Sequence, residues 1–368
     1  MLFTPVRALK ITVMLKISRG VVGSGWSVVG SGPGRGVSLA RRGKTVCPRC
    51  GRKTFVNYVY DDGRPVADGE CGKCDRADKC GAHIPPRVWF GQHGSLVSGN
   101  IKGVVARKPL YDEPSLIDTS LMERTLCHYD INPLARWLHG VFDSLTSPER
   151  VDALLRERCV GTSRRWGGAT VYWQVDTRGR VRTGKVMGYN PETGRRIHQR
   201  NNWVHCLMPP ADQGAGGYNL RQCYFGSHIP VRDDQVIWLF ESEKAALVMD
   251  MLLEWGGLRR VFVPMATSGC GNLNPTLAAM NDPYDKLQVL RGRKVVLFPD
   301  EGKFREWEEK GRRLKGFCEQ VWIATVMERG LHRYPVECPI EPGDGFDDLV
   351  LRYLAEGRDV WDLIVCSY

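Results

Sequence analysis

Two cysteine segments decide the fold of the N-terminal region: Cys47-Pro-Arg-Cys50 and Cys71-Gly-Lys-Cys74-Asp-Arg-Ala-Asp-Lys-Cys80-Gly-Ala-His83. A Cys-x-x-Cys pair followed by glycine is typical of a tight turn in which two thiolates bind one metal ion. Zinc in structural sites takes four such ligands in a tetrahedron. A redox cysteine pair would not need the second segment, so the pattern predicts a zinc ribbon with one structural Zn²⁺.

The residues between the two segments favour the same ribbon. Thr54-Phe-Val-Asn-Tyr-Val-Tyr60 is rich in β-forming residues and is followed by a turn signal, Asp61-Asp62-Gly63. This pattern predicts a β-hairpin that carries the two metal-binding turns. By spacing alone, Cys71 and Cys74 form the second pair of ligands, which leaves Cys80 and His83 spare.

Length and composition limit the class of protein. A chain of 368 residues is too long for one small core and predicts two or three domains. The 13 cysteines are odd in number and include metal-type spacing, which favours a reducing cytoplasm over a secreted disulfide scaffold. No run of 18 apolar residues is present, so we expect no membrane span.

The formal net charge is +11, but it is unevenly distributed. Residues 1–46 contain eight Lys or Arg and no acid, and the rest of the chain is close to balance. Global charge is therefore a weak argument for a nucleic-acid partner. We interpret residues 1–45 as a disordered basic arm. An organelle presequence or a start codon assigned too early are the alternatives, and a secretory signal is disfavoured.

Changes in pattern along the chain predict the remaining organisation. After a zinc ribbon at 46–90 and a Gly/Ser/Pro-containing linker at 91–115, residues 116–230 form a helical plus β-meander domain with basic character. Helices are predicted to open at Asn132-Pro133 and at Ser147-Pro148, where a capping side chain precedes proline. From Gly168 the apolar period changes to two, which indicates antiparallel strands.

The meander has a lopsided charge. Residues 160–205 hold nine Lys or Arg against two acids, with aromatic residues interleaved. Basic side chains beside stacking rings suit a nucleic-acid backbone, although a solvated sheet face over an aromatic core gives the same pattern. The predicted nucleic-acid-binding residues are Arg164, Arg165, Arg178, Arg180 and Lys185.

Residues 231–368 alternate short apolar strands with amphipathic helices, which predicts a parallel α/β domain. Glu241 and Asp300 each follow such a strand, and Asp347 and Asp348 lie in a later acidic run. Loops after parallel strands converge on a common crevice. Carboxylates from these loops are suitable ligands for Mg²⁺.

Several of these motifs resemble a family of toprim-containing, primase-like proteins from bacterial mobile elements. Phe240-Glu-Ser-Glu-Lys-Ala resembles the first toprim motif, and Ser268-Gly-Cys-Gly-Asn resembles the glycine turn of its second strand. Leu297-Phe-Pro-Asp-Glu-Gly302 resembles the Asp-x-Asp motif, and Asp344-Gly-Phe-Asp-Asp-Leu the closing motif of primase toprims. The likeness covers roughly residues 45–350.

The resemblance implies specific roles for residues of this chain. Zinc would be held by Cys47, Cys50, Cys74 and Cys80, with Cys71 and His83 as substitutes. Glu241 would transfer protons and Asp300 would be catalytic and bind Mg²⁺ together with Asp347 or Asp348. The chain departs from the family pattern at Ser242, which replaces a glycine, and at Gly302, which replaces the second Asp of Asp-x-Asp.

Length, pattern and cysteine usage predict an α/β, multi-domain, cytoplasmic protein, and the resemblance implies a protein of DNA replication that binds single-stranded DNA. The main hypothesis is a primase-like, Mg²⁺-dependent nucleotidyltransferase. The alternative is a non-catalytic DNA-binding accessory of replication or mobilisation with a degenerate toprim domain, which Gly302 favours, and a toprim nuclease is a third. The sequence contains no Gly-x4-Gly-Lys-Ser/Thr motif, so a replicative helicase would be a separate partner.

Overall fold

The computed structural model describes residues 37–40, 43–60, 63–80, 82–86, 113–208, 218–328 and 339–366. The chain divides into two compact units, one within residues 20–108 and one that contains residues 109–368. Most of the predicted basic arm and linker lies outside the described residues, and each unit is considered by itself.

The N-terminal unit is a small antiparallel sheet. Strand β3 is central and pairs with β1, β2 and β4, while β4 also pairs with β5. The sheet starts at Val37, before the predicted boundary at residue 46, because Val37–Leu39 pairs with the end of β3. The elements are β1 (Val37–Leu39), β2 (Thr45–Val46), β3 (Lys53–Tyr60), β4 (Gly72–Cys74), a short helix α1 (Ala77–Cys80) and β5 (His83–Ile84).

The second unit opens with helices that begin where the sequence predicts. Asn132 accepts hydrogen bonds from the backbone of Leu134 and Ala135, and Ser147 accepts one from Arg150. These caps satisfy amide groups that have no partner inside the helix. The helices are α2 (Thr119–Glu123), α3 (Pro133–Phe142) and α4 (Pro148–Glu157).

The predicted meander is a four-stranded antiparallel sheet in the order β6-β7-β8-β9. The two central strands, β7 and β8, are buried along almost their whole length, whereas the edge strand β9 is largely exposed. The elements are β6 (Val160–Ser163), β7 (Ala169–Val175), β8 (Val181–Tyr189), β9 (Arg196–Trp203) and α5 (Val204–Leu207).

The remaining residues form a parallel sheet in the order β11-β10-β12-β13. Its strands β10 and β11 are wholly apolar and buried, as expected for strands covered on both faces. The elements are β10 (Val236–Phe240), α6 (Glu243–Trp255), β11 (Phe262–Ala266), α7 (Leu277–Asn281), β12 (Lys294–Phe298), α8 (Phe304–Leu314), β13 (Gln320–Ile323), α9 (Phe346–Ala355) and α10 (Val360–Cys366).

The two sheets of this unit share one hydrophobic core, which extends from Tyr129 to Leu363 and crosses the predicted division at residue 230. A buried ion pair also crosses it. Arg158, at the end of α4, donates to both carboxylate oxygens of Asp250 in α6 at 2.8 and 2.6 Å, and to the carbonyl of Pro264. Among the described residues, no helix is both long and apolar enough to cross a membrane.

Candidate functional site

Four cysteines of the N-terminal unit converge on one point. The sulfur atoms of Cys47, Cys50, Cys74 and Cys80 all lie within 4.8 Å of one another, and Cys50 Sγ is 3.9 Å from Cys74 Sγ. A tetrahedron with Zn–S bonds of about 2.3 Å has sulfur–sulfur edges of roughly 3.8 Å. The donor set therefore fits one structural Zn²⁺ with no open position.

The converging cysteines are the set that the resemblance implies, and the assignment from spacing alone is wrong. Cys71 is fully buried but outside the cluster, and its carbonyl accepts a hydrogen bond from the Tyr58 amide. Cys71 immediately precedes β4 and Cys74 ends it, and in an extended chain residues three apart point in opposite directions, which accounts for the exclusion of Cys71 from the cluster. His83 instead contacts the Tyr58 hydroxyl, 3.1 Å from its Nε2.

A second cluster lies at the carboxyl edge of the parallel sheet. Glu241 follows β10, Asp300 follows β12, and Asp347 lies in the first turn of α9. A Cβ atom placed on Gly345 would lie 2.6 Å from Asp347 Oδ1 and 3.2 Å from Asp300 Oδ1. The carboxylates of Asp300 and Asp347 therefore flank the same glycine, and only a residue without a side chain leaves room for both.

These acids act on one another electrostatically. Burial, together with the negative charges of Glu241, Asp347 and Asp348, raises the pKa of Asp300 to about 8, and the positive charge of Arg196 opposes them. Burial also raises the pKa of Glu241 and of Asp347. Closely spaced, poorly solvated carboxylates of this kind are typical of sites that bind a cation or hold a proton.

Lys244 brings a positive charge into direct contact with two of these acids. Lys244 Nζ lies 3.1 Å from Asp347 Oδ2 and 3.1 Å from Asp348 Oδ1. Asp347 Oδ2 is thus paired with a cation, whereas Glu241 Oε2 is buried without a hydrogen-bond donor. The site therefore contains a carboxylate oxygen, on Glu241, that Lys244 does not satisfy.

The donor chemistry fits Mg²⁺, although the acids are not gathered as tightly as the cysteines. Among the described residues, three or more potential metal ligands come within 4.8 Å of one another only in the cysteine cluster. Mg²⁺ in proteins keeps several waters and commonly uses only one or two carboxylates. Asp300 and Asp347, whose carboxylates flank Gly345, offer two such groups.

In the loop after Asp300, the replacement of the second Asp of Asp-x-Asp by Gly302 removes one carboxylate. Gly302 has a φ of +72°, and a Cβ atom at this position would meet nothing within 4 Å, so the residue adds no ligand. Glu301 Oε2 accepts a hydrogen bond from the Gly343 amide, which directs this carboxylate to the neighbouring loop. Asp348 Oδ2 accepts from the Gly345 amide and caps α9.

The residues predicted to bind nucleic acid occupy different environments. Arg164 and Arg165 are exposed in a turn before β7, and Arg165 lies over the ring of Trp166. Arg178 is exposed in the β7–β8 turn, whereas Arg180 pairs with Asp176. Lys185 is largely buried, and its Nζ lies 2.9 Å from Oε2 of buried Glu243.

The aromatic side chains of the meander serve mainly as core. Tyr172, Trp173 and Tyr189 are buried, so their faces are not available to bases. Further exposed basic side chains lie on the edge strand β9, and the positive charge of one of them, Arg196, lowers the pKa of Asp300. Sequence reasoning missed Arg196 and Lys244. Lys244 lies inside the Glu-Ser-Glu-Lys motif, so the sequence did contain a signal that could have identified it as a residue of the site.

Comparison with known proteins matches two parts of the chain to families. Residues 132–301 match the family described as Domain of unknown function (DUF6371). Residues 38–95 match a family described as a zinc beta-ribbon finger, in agreement with the cysteine cluster.

No curated protein matches the chain by sequence. Among solved structures, the primase fragment of the bacteriophage T7 primase-helicase protein is similar with a TM-score of 0.37 and 12% sequence identity. That alignment covers 89% of this chain and 99% of the T7 fragment.

Proposed function

We propose that this chain is a primase-like protein of DNA replication that binds single-stranded DNA and transfers nucleotides with the help of Mg²⁺. The observation that carries the proposal is the meeting of acids from three separate segments at the carboxyl edge of the parallel sheet, where burial and mutual repulsion raise the pKa of Asp300 to about 8. Ligand sites in open α/β sheets lie at this edge. This placement and the sequence motifs support a toprim-like domain.

In this proposal, Asp300 and Asp347 would hold Mg²⁺, with Asp348 beside them. The ion would neutralise the phosphate oxygens of an incoming nucleoside triphosphate. Glu241, whose pKa is raised by burial, has an oxygen without a partner and would accept the proton of an attacking hydroxyl. Arg196, exposed and within the field of Asp300, would contact the phosphate chain.

The zinc ribbon would bind the single-stranded template, because a metal held by four cysteines makes a small module rigid enough to present a binding surface. Arg164, Arg165 and Arg178 are exposed and would contact the DNA backbone. Arg180 and Lys185 are partly neutralised by Asp176 and Glu243, so we expect smaller contributions from them. A cytoplasmic location, a mobile-element setting and a separate replicative helicase complete this proposal.

The second candidate is a non-catalytic DNA-binding accessory of replication or mobilisation. Two observations favour it: Gly302 supplies no second carboxylate, and the ammonium of Lys244 already lies 3.1 Å from both Asp347 and Asp348. In such a protein, Lys244 would replace the metal permanently and the acids would serve only to hold α9 against α6.

A primer-synthesis assay separates the two. The full-length protein is incubated with single-stranded DNA and nucleoside triphosphates, with and without Mg²⁺. The main proposal expects Mg²⁺-dependent products that Asp300→Asn abolishes and Glu308→Gln, a half-exposed acid on α8, leaves intact. DNA binding without any product, equal in both variants, would favour the accessory.

A further inference from the structure

The unit that contains residues 109–368 has a pocket with walls different from those of the acidic cluster. It has a volume of about 250 Å³ and is formed between the β7–β8 turn and the segment 283–289. Its walls include Arg178, Arg180, Ser227 and Lys286. None of the acids of the candidate active site lines it.

The pocket carries an excess of positive charge. Asp176 is the acid of the β7–β8 turn, and its two oxygens accept hydrogen bonds from the side chains of Arg180 and Arg182 and from two backbone amides. One carboxylate therefore faces two guanidinium groups. The side chain of Arg178 is exposed beside them, and its contact within the described residues is made through its backbone amide.

The opposite wall adds Lys286 and Asp285. Lys286 Nζ donates to Asn272 Oδ1 at 3.1 Å and has two further protons to donate. Asp285 Oδ1 accepts from the Leu287 amide and so caps its own turn. Counting Asp285 with Asp176, the pocket has two acids against four basic side chains, which favours an anionic ligand.

A residue that lines the pocket carries an unpartnered polar atom, which points to a ligand as well. Ser227 is 3% exposed, and its hydroxyl has no hydrogen-bond partner. Buried hydroxyl groups are normally hydrogen-bonded, because leaving one unpaired costs free energy. A ligand oxygen in the pocket would provide the missing partner.

We propose that this pocket binds the phosphate group of a small ligand, with Arg178, Arg180 and Lys286 compensating its charge and Ser227 donating to one of its oxygens. Pockets for whole drug-sized molecules typically measure about 300–1,000 Å³. The smaller volume here suits a phosphate or diphosphate group. Half-buried Tyr284 at the rim would contact whatever the phosphate is attached to.

Calorimetric titration of the zinc-loaded, full-length protein tests the proposal, with no Mg²⁺ added. The ligands are inorganic phosphate, pyrophosphate and ATP at low ionic strength. We expect saturable binding that Arg178→Ala weakens about tenfold and Ser227→Ala about threefold, the size of one charged and one neutral hydrogen bond. Arg136→Ala, at an exposed position on α3, is the matched control and should bind as the unaltered protein does.

Equal affinity for pyrophosphate and ATP would assign recognition to the phosphates alone, and tighter binding of ATP would add a contact to the nucleoside; both support the pocket. Asp300→Asn should bind phosphate normally, so this test is separate from that of the proposed enzyme activity. The proposal is overturned if none of the three phosphate ligands binds, or if Arg178→Ala and Ser227→Ala leave their affinity unchanged. It is also overturned if Arg178→Ala weakens the binding of single-stranded DNA only.

Discussion

Lys244 and Asp347 form an ion pair in the acidic cluster, with Lys244 Nζ 3.1 Å from Asp347 Oδ2. Asp347 is almost fully buried and Lys244 is mostly so. Nearby negative charge raises the pKa of Lys244, although burial acts in the other direction, so the amine stays protonated. The side chain is therefore a fixed positive charge at the place where a metal ion would bind.

Replacing this lysine tests whether the cluster accepts a metal. Lys244→Met leaves Asp347 buried without its cation, and loss of one partner of a buried pair costs about 3–5 kcal/mol. We expect a decrease of this order in the free energy of unfolding, measured with urea, and a partial recovery on addition of Mg²⁺. Lys315→Met, at an exposed position after α8, is the control. A loss of stability that Mg²⁺ does not recover argues against a metal at this site.

Removal of zinc should unfold the N-terminal unit. Its apolar core consists of Phe55 and Ala82 with the ligands Cys47 and Cys74, so the metal-binding residues form much of the interior. Structural zinc supplies the folding free energy of such small modules. Amide exchange after chelation should lose protection within residues 43–86 and keep it in the parallel sheet.

A pair of cysteine variants makes the zinc prediction specific. Cys74→Ala should lower the bound zinc well below one per chain, whereas Cys71→Ala should retain one, since Cys71 lies outside the cluster. Zinc is measured by atomic absorption of the purified variants. Equal zinc loss in both variants contradicts the ligand assignment.

The raised pKa of Asp300 should make the stability of the folded protein depend on pH. Its pKa in the folded protein is about 8, against an ordinary value near 3.8, so between these values the folded state binds a proton that the unfolded state lacks. The contribution of this group is complete below about pH 4, decreases as pH rises and is lost above about pH 8. In the absence of Mg²⁺, urea midpoints should fall over this range, and Asp300→Asn should flatten the fall. An unaltered slope in the variant would assign the effect to other acids.

If Arg164 and Arg165 bind DNA as proposed, they should contribute to the salt dependence of DNA binding. Both are exposed before β7, and in the proposed function they contact phosphates, so reversal of their charges would reduce the number of counterions released on binding. Arg164→Glu with Arg165→Glu should weaken binding to single-stranded DNA and reduce the slope of log affinity against log salt, measured by fluorescence anisotropy. Arg312→Glu with Arg313→Glu on α8 is the matched control. An identical slope in both double variants removes this turn from the interface.

The sequence predicts most of the elements because their signals are local. Asn132 and Ser147 cap helices as expected, and the apolar runs after residues 236 and 294 are buried parallel strands. The four zinc ligands were implied only by family resemblance, because spacing could not show that Cys80, and not Cys71, joins Cys74 in the cluster.

The electrostatic partners could not be read from the sequence, since they join residues far apart along the chain. Lys185 looks like a free basic residue of a meander, but it neutralises Glu243, which lies 58 positions later. Arg180 and Asp176 pair across a turn, and Arg196 acts on Asp300 from another sheet. Local pattern gives the number of charges, whereas the tertiary fold decides which of them remain available to a ligand.

The buried contact of Arg158 with Asp250 has a consequence for biosynthesis. The guanidinium belongs to the early helical region, but its carboxylate is made much later, and the common core ends at Leu363. A nascent polypeptide that has reached only residue 230 would carry an unneutralised arginine and an open apolar face. The antiparallel sheet should therefore stay incompletely ordered on the ribosome until residues as far as Leu363 have emerged, so nascent chains released earlier would be targets for chaperones or proteases.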